Sequence, residues 1–446
     1  MKTDQTSRRA DRRPNRRQFL IRTARAGAAA LGFPYVIPAT ALGAQGRPAP
    51  SERLTLGCIG VGSMGTGNMR DFLRFPEVQV VAVCDVDRAH RARAEEIVNA
   101  HYGNRDCAGY IDFRDLLDRG DLDAVSIAVP DHWHAIPAIA AARKGLDIYA
   151  EKPLALTIPQ GRAMTDAVRQ HGVIWQTGSW QRSQENFRRA CELVRNGRIG
   201  VVHTVEVGLP TGPTCGPQPA MPVPDGFDYD FWLGPAPEAP YTEKRCHWNF
   251  RWILDYSGGQ LTDWAAHHCD IANWGMDTEY TGPVEVVPIS AEYPRDGLWD
   301  AAVNYRFECK YPPGASPVAP DGFTMSVSNT NRGGAKFIGT EGWVWVDRGR
   351  FEPDPPALKD STIGLAEIHL YESRDHKANF LECIRTRRET ITPIEPAHRA
   401  ITIAHLGNIA MQLGRTVRWD PRSERILKDE EGNRKLDRAM RAPWRL

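Results

Sequence analysis

A chain of 446 residues is too long for one ordinary domain, and its length favours two or three domains, each with its own core. Charged residues at 25% and hydrophobic ones at 41% exclude a disordered tail and a membrane bundle. The net charge of +1 is unevenly divided: residues 1–44 hold nine Lys/Arg and two Asp/Glu, and the remainder holds 47 basic and 53 acidic side chains. A body with that balance gives no electrostatic reason to bind nucleic acid.

The first segment ends its basic run in Asn15-Arg16-Arg17-Gln18-Phe19-Leu20, then loses all charge from Ala26 to Ala44. Twin arginine, Phe-Leu, a weakly apolar stretch and small residues resemble a bacterial twin-arginine export signal. The expected partner is the twin-arginine export machinery and the expected location the periplasm. A stable membrane anchor is the poorer reading, because Pro34, Pro38 and the Gly/Ala content make a weak spanning helix. The nine cysteines stand singly, with no C-x-x-C pair and an odd total. That pattern argues against a disulfide framework or a zinc module, and it fits folding in a reducing compartment before export.

After a short linker (45–52), an apolar run from Leu54 feeds into Gly60-Val-Gly62-Ser63-Met64-Gly65. A helix from Asn68 to Phe75, a second buried strand over 78–84 and Asp85 follow. Asp85 stands twenty residues after Gly65, the spacing at which a carboxylate meets the adenosine ribose of a dinucleotide. Gly60 permits the tight turn, Gly62 lets backbone approach pyrophosphate, and Gly65 lets the helix pack while its N-terminus faces the phosphates. Asp85 favours NAD by repelling a 2′-phosphate, and Arg88 nearby leaves NADP open. Further strands at 123–130 and 147–150 alternate with helices, which implies a doubly wound parallel sheet over 53–177. The Pro130–His134 loop and Glu151-Lys152-Pro153 both follow strands, so Pro130, His134, Glu151 and Lys152 should face the cofactor.

These residues resemble the glucose–fructose oxidoreductase / inositol dehydrogenase (Gfo/Idh/MocA) family. The motifs that carry the likeness are Glu151-Lys152-Pro153, His134, the run from Gly258 through Asp263 to His267, Gly339-Thr-Glu-Gly342, and 376–408, which looks like the family's secreted subgroup. The resemblance implies an N-terminal Rossmann domain followed by an α/β substrate domain. It also implies a sugar, glycoside or cyclitol hydroxyl as substrate, with Lys152, Asp263 and His267 as catalytic residues.

The alternation of Val303, Tyr305, Phe307, Cys309 and Tyr311 with polar residues reads as an open, mostly antiparallel sheet in a second domain over 178–375. In the family such an open face supports homo-oligomer contacts. The proline-rich stretch 210–240 reads as an ordered substrate-side loop or a partner arm. Helices over 376–446 should pack back on the first domain.

Asp263 and His267 stand at i and i+4 of one helix, so the carboxylate can orient the imidazole or raise its pKa. His267 is the expected base, Asp263 its modulator, and Lys152 the group that holds the substrate oxygen. His267, His268 and Asp270 make a poor metal site, because adjacent helical side chains diverge by roughly 100°, and no metal is expected. Trp248 and Tyr256 could stack on a sugar, and Asn249, Arg251, Gln181 and Arg182 could bond its hydroxyls. The leading expectation is an exported nicotinamide-dependent oxidoreductase with a tightly bound, recycled cofactor. The alternative is a glycosidase that uses NAD transiently, oxidising a ring hydroxyl so that elimination can follow. A non-catalytic relative is disfavoured by the presence of Lys152, Asp263 and His267 together.

Overall fold

The computed structural model describes Ala49 and residues 52–446. The proposed signal, 1–44, lies outside the described residues. Arg53–Leu446 form one compact unit.

Its first half alternates strand and helix: β1 (Leu54–Ile59), α1 (Ser63–Leu73), β2 (Val78–Cys84), α2 (Arg88–Tyr102), β3 (Ala108–Tyr110), α3 (Phe113–Leu117), β4 (Ala124–Ile127), α4 (Ala135–Arg143), β5 (Asp147–Ala150), α5 (Ile158–His171) and β6 (Trp175–Thr177). The six strands form one parallel sheet in the order β3-β2-β1-β4-β5-β6. β4 and β5 are buried throughout, as expected of strands covered on both faces, and so they read as mostly apolar runs, broken only by Ser126 and by Asp147. The order reverses between β1 and β4, the topological switch point where such sheets bind ligands.

The second half comprises α6 (Glu185–Arg195), β7 (Val202–Gly208), α7 (Tyr229–Leu233), α8 (Gly259–Met276), β8 (Glu285–Glu292), β9 (Asn304–Tyr311), β10 (Phe323–Ser328), β11 (Gly334–Gly339), β12 (Gly342–Asp347), β13 (Arg350–Asp354), α9 (His376–Thr386), α10 (Ile394–Leu413), β14 (Val417–Asp420), β15 (Arg425–Ile426) and α11 (Glu430–Arg434). Nine strands make one mixed sheet, β13-β12-β11-β7-β10-β9-β8-β14-β15. β7 and β10 run parallel, and the other described pairs are antiparallel. Buried Val205, Val207, Phe307, Cys309 and Phe337 face α8 and α10, while Glu206, Arg306, Glu308 and Lys336 stand on the more open face.

The C-terminal segment departs from the all-helical reading. Val417 and Trp419 are buried and alternate with polar residues, so the stretch after α10 continues the sheet as β14. α9 lies on the first domain, where Phe380, Leu381 and Cys383 join the core beneath β1 and β2. All nine cysteines are free thiols, and eight are buried. Among the described residues, no helix is long and apolar enough to cross a membrane.

Candidate active site

Two cavities meet at the C-terminal end of the parallel sheet. The first, of about 320 Å³, is lined by Gly60, Gly62, Ser63, Met64, Asp85 and Pro130 among others. Its floor follows from glycine chemistry. Gly60 has φ of +77°, and a Cβ on Gly65 would stand 1.8 Å from the Gly60 carbonyl oxygen; only glycine permits that turn and that helix approach. Asp85 is fixed from behind, since its Oδ2 accepts the Val61 N–H at 2.9 Å and its Oδ1 the Asp87 N–H at 2.9 Å. The donor set and the glycine cradle fit a dinucleotide: backbone of Gly60–Gly65 for pyrophosphate, Asp85 for the ribose.

The far wall comes from the proline-rich stretch. Phe227, Phe231 and Trp232 line the cavity, and the stretch is tied to the tip of β2 by Arg88 N–H to Gly226 O at 2.9 Å and Asp228 N–H to Val86 O at 3.1 Å. Trp133 stacks on Phe231 and donates its indole N–H to Trp232 O at 2.9 Å.

The second cavity, of about 900 Å³, shares Met64, Glu151, Lys152 and Trp248 with the first and adds Asp263, His267 and the indoles of Trp180, Trp252 and Trp264. Lys152 Nζ donates to Asp263 Oδ1 at 2.7 Å and to the Asp263 carbonyl at 3.2 Å. An ammonium has three donors, so one remains for a substrate oxygen. Glu151 accepts from the Asn68 amide at 2.9 Å. His267 is buried between Trp180 and Trp264, each ring centroid 6.3 Å away. Its Nδ1 has no hydrogen-bond partner among the described residues.

The pairing of Asp263 corrects the sequence reading. The i,i+4 spacing holds, but the carboxylate turns to Lys152 and, at 3.4 Å, to Arg251 Nε rather than to His267. A buried carboxylate gains more from two permanent cations than from a neutral imidazole. Burial opposes ionisation of Asp263, yet Lys152 and Arg251 outweigh it and hold the carboxyl below its ordinary pKa. His267 is pushed well below the ordinary histidine value, first by burial and then by the charges of Lys152 and Arg348. It is therefore a neutral imidazole, able to accept a proton, and Asp263 does not raise its basicity.

Other expected site residues fall elsewhere. Arg88 is exposed and outside the cavity lining, and His90 takes its place there, with Nδ1 3.7 Å from Asp85 Oδ2. His134 does not line the cavity: its Nδ1 lies 2.7 Å from Pro153 O and its Nε2 2.8 Å from Val129 O, so it ties the Glu-Lys-Pro loop to the end of β4. Arg182 is buried in ion pairs with Asp270 and Glu279. Asp270 is thereby occupied, and His268 faces Asp347 at 3.7 Å. Tyr256 is fully buried, its hydroxyl bonded by Arg245 at 3.1 Å. Asn249 is half-buried and outside both linings. Gln181 is buried behind the wall; its amide donates to His267 O at 3.1 Å and accepts from Arg348 Nε at 3.2 Å. Trp248 and Arg251 do line the site, with the guanidinium 4.3 Å from the indole centroid.

The sequence reading missed several wall residues. Lys377, at the start of α9, bonds Asn68 Oδ1 at 2.8 Å and the Tyr149 hydroxyl at 2.7 Å, and burial brings its pKa down to about 8. Arg348, between β12 and β13, and Trp180 also line the second cavity. No local motif marks these residues. The one available signal was the Asp375-His-Lys377 start of a helix already expected to dock on the first domain. Separately, Asp87, His90 and His247 bring ligating atoms within 4.8 Å of one another. Asp87 caps α2 through the Ala89 N–H, and both histidines line the nucleotide cavity.

A parallel dinucleotide fold with a lysine–carboxylate pair and a neutral histidine at its switch point defines a nicotinamide-type oxidoreductase scaffold. Comparison with known proteins gives the family. Residues 54–179 match the oxidoreductase family's NAD-binding Rossmann fold, and residues 214–446 match its C-terminal alpha/beta domain. The chain belongs to the Gfo/Idh/MocA oxidoreductase family, and its first domain is the NAD-binding one.

Among curated relatives, the uncharacterized oxidoreductase YrbE of Bacillus subtilis is 26% identical over 233 residues, 52% of this chain and 56% of that protein. A glycosyl hydrolase family 109 protein of Saccharopolyspora erythraea is 30% identical over 207 residues, 42% of this chain and 44% of that one. The chain thus spans about half the length of these relatives. Among solved structures, the WlbA dehydrogenase of Bordetella pertussis, in complex with NADH and UDP-GlcNAcA, superposes with a TM-score of 0.58 at 18% identity. That match covers 82% of this chain and 99% of that one and shows a shared fold.

Proposed function

We propose that the protein is an exported oxidoreductase that interconverts a CH–OH and a keto group on a sugar, glycoside or cyclitol. The observation that carries the reading is the meeting of the two cavities at Lys152: one wall of the nucleotide site is also the floor of an indole-lined cavity that holds His267. A bound nicotinamide supplies the hydride acceptor or donor. The chain's own groups do the rest. Trp248, Trp180 and Trp264 offer faces to sugar C–H surfaces. The third donor of Lys152 holds the substrate oxygen, and Asp263 keeps that ammonium aimed. Neutral His267 takes the hydroxyl proton.

Export is supported by the twin-arginine start alone. Free nicotinamide nucleotide is scarce outside the cytoplasm, so an exported enzyme would keep its cofactor and recycle it between a sugar donor and a carbonyl acceptor. The wall of Phe227, Phe231 and Trp232, tied to β2, offers a physical route to slow release. The open sheet face would serve contacts between copies. Dialysed protein should still carry NAD(H) by mass spectrometry and turn over a sugar with a carbonyl acceptor, with no nucleotide added. Activity that vanishes on dialysis and returns only with millimolar NAD would overturn the recycling. Absence of nicotinamide reduction across aldoses, glycosides and inositols would overturn the oxidoreductase reading itself.

A second reading has support in the glycosyl hydrolase family 109 relatives: oxidation of a ring hydroxyl acidifies the neighbouring C–H and permits loss of the aglycone. The family resemblance ranks it lower, because those glycosidases tend to lack the Glu-Lys-Pro that stands here at 151–153. Phenol release from aryl glycosides at catalytic NAD separates the two.

A further inference from the structure

Arg348 stands at the tip of the β12–β13 hairpin with its guanidinium between two indoles, 4.8 Å from the Trp180 centroid and 4.6 Å from that of Trp264. Its Nε edge is taken by Gln181. Two indoles and one hydrogen bond from Nε therefore hold the cation, and its two terminal nitrogens make no hydrogen bond among the described residues. No carboxylate is in ion-pair contact with it either; burial weakens its hold on the proton, and Asp347 and Asp263 act on it only through space. Its neighbour Asp347 turns to His268, and Asp263 is held by Lys152 and Arg251.

The wall's other cations each have a partner: Lys152 bonds Asp263 and keeps one donor, Lys377 bonds Asn68 and Tyr149, and the solvent-exposed Arg374 and Arg74 pair with Glu372 and Asp71. A partly desolvated charge is costly to hold without a counter-ion. A guanidinium presented by its two-nitrogen edge matches the geometry of an anionic oxygen pair.

We propose that Arg348 is the specificity-determining residue of this cavity and that the sugar it receives is anionic, carrying a carboxylate or a sulfate that bonds the free edge of the guanidinium. This rests on the reading of the cavity as a sugar site and names the class of sugar. The geometry also links recognition to chemistry. His267 lies against the same two indoles, and its proton affinity is lowered by burial and then by Lys152, Arg348, His268 and His376. A substrate anion on Arg348 cancels one of those charges beside the proton acceptor, so an acidic sugar restores basicity that a neutral one leaves suppressed.

The test is a tryptophan-fluorescence titration of the NAD-loaded full chain with methyl glucuronide, a sulfated methyl glucoside and methyl glucoside. The charged sugars should bind about 10- to 100-fold tighter than the neutral one, the increment of a charge-assisted bond. The tighter of the two identifies the anion. Arg348→Gln should bring the charged-to-neutral ratio close to one, and Arg348→Lys should restore part of it, with circular dichroism confirming that both variants fold. Equal binding of glucuronide and glucoside by the unmodified protein would overturn the proposal, as would an unchanged ratio in Arg348→Gln. Nicotinamide reduction is read in parallel. Arg348-dependent binding without reduction of any sugar keeps this inference and removes the oxidoreductase reading; reduction by neutral sugars alone does the reverse.

Discussion

At the scale of single residues, the site's logic is charge pairing under desolvation. Lys152 and Asp263 are separated by 111 residues and lie 2.7 Å apart; burial opposes the ionisation of Asp263, and this ammonium is the largest charge that favours it. His267 contributes by staying neutral. His267→Ala should lower turnover by roughly 10²–10⁴ with nucleotide affinity unchanged, since it removes proton transfer and touches no nucleotide-binding group. Steady-state kinetics with a nucleotide titration checks this, and a change confined to KM would make His267 a binding residue. Lys152→Arg should not recover the loss caused by Lys152→Ala, because a planar guanidinium is too broad for a site shaped around one nitrogen. Asp85 acts at the other end. Its Oδ1 and Oδ2 are anchored by backbone N–H groups, so it is held ready for the ribose before nucleotide arrives. Asp85→Ala should weaken NAD by about 10- to 100-fold and move the NAD-to-NADP preference toward one. Equal affinity for both nucleotides in the unmodified protein would remove that role from Asp85.

At the scale of elements, the two long helices of the second domain reach their sheet through glycine. A Cβ on Gly275 of α8 would stand 2.5 Å from the Phe337 ring, and one on Gly407 of α10 would stand 2.4 Å from the Phe307 ring. Both rings are fully buried, so neither can swing aside. Alanine gains up to about 1 kcal/mol of helix propensity over glycine, whereas overpacking a close-fitted core costs roughly 1–3 kcal/mol. Gly407→Ala should therefore destabilise by about 1–2 kcal/mol in chemical denaturation, and adding Phe307→Leu should recover part of that; a stabilised Gly407→Ala would show that the helix can shift outward. This packing also explains which elements the sequence reveals. β1, β2, β4 and β5 are legible because burial on both faces leaves mostly apolar runs, each with a single polar residue (Thr55, Gln79, Ser126 and Asp147), and β7, β9 and β10 because one buried face leaves an alternation. β8 is hidden: most of its residues are partly or fully exposed and it contains Pro288. The site divides in the same way. Lys152 and His267 sit in local motifs that declare them, whereas Arg348 gains its meaning from Trp180, Trp264 and Gln181, which lie far along the chain. Arg182 looks like a substrate contact until Asp270 and Glu279 close around it, a fact no spacing contains. Asp263 is the instructive case, because helical periodicity places it beside His267 correctly and cannot know that a stronger partner arrives from β5.

At the scale of the whole molecule, buried neutral histidines join the elements. His376 fixes the start of α9 to the end of β6 through Thr177 O at 2.9 Å, His405 fixes α10 to the loop after β5 through Ala155 O at 3.0 Å, and His132 fixes the switch-point loop to the end of α7 through Trp232 O at 3.0 Å. Burial is the largest cause in each case and pushes their pKa values down, to about 3 for His376 and about 4 for His132 and His405. The ordinary histidine value is about 6.5, so below it the unfolded chain binds protons that the folded chain refuses. By linkage, stability is then fully present above about pH 6.5 and falls as pH drops toward 4, by about 1.4 kcal/mol per pH unit for each histidine. Carboxylates act in a different window. Glu395 and Glu424 are held down to about 2 by Arg162, His398 and their neighbours, so their loss begins only below about pH 4.5. The raised carboxyls of Asp131, Asp147 and Asp270 and the raised imidazole of His90 act with the opposite sign, above their ordinary values. Between about pH 6.5 and 5 these three histidines give the falling slope. The melting temperature should be nearly level from about pH 8 to 7 and then fall steadily as the solution is brought to about pH 5. His405→Gln, which can keep the bond to Ala155 O through its amide without a titrating ring, should flatten part of that fall. A melting temperature that is constant or rises from pH 7 to 5 would mean that these rings take up protons without loss of the fold, and that the joints they form open locally rather than with the molecule as a whole.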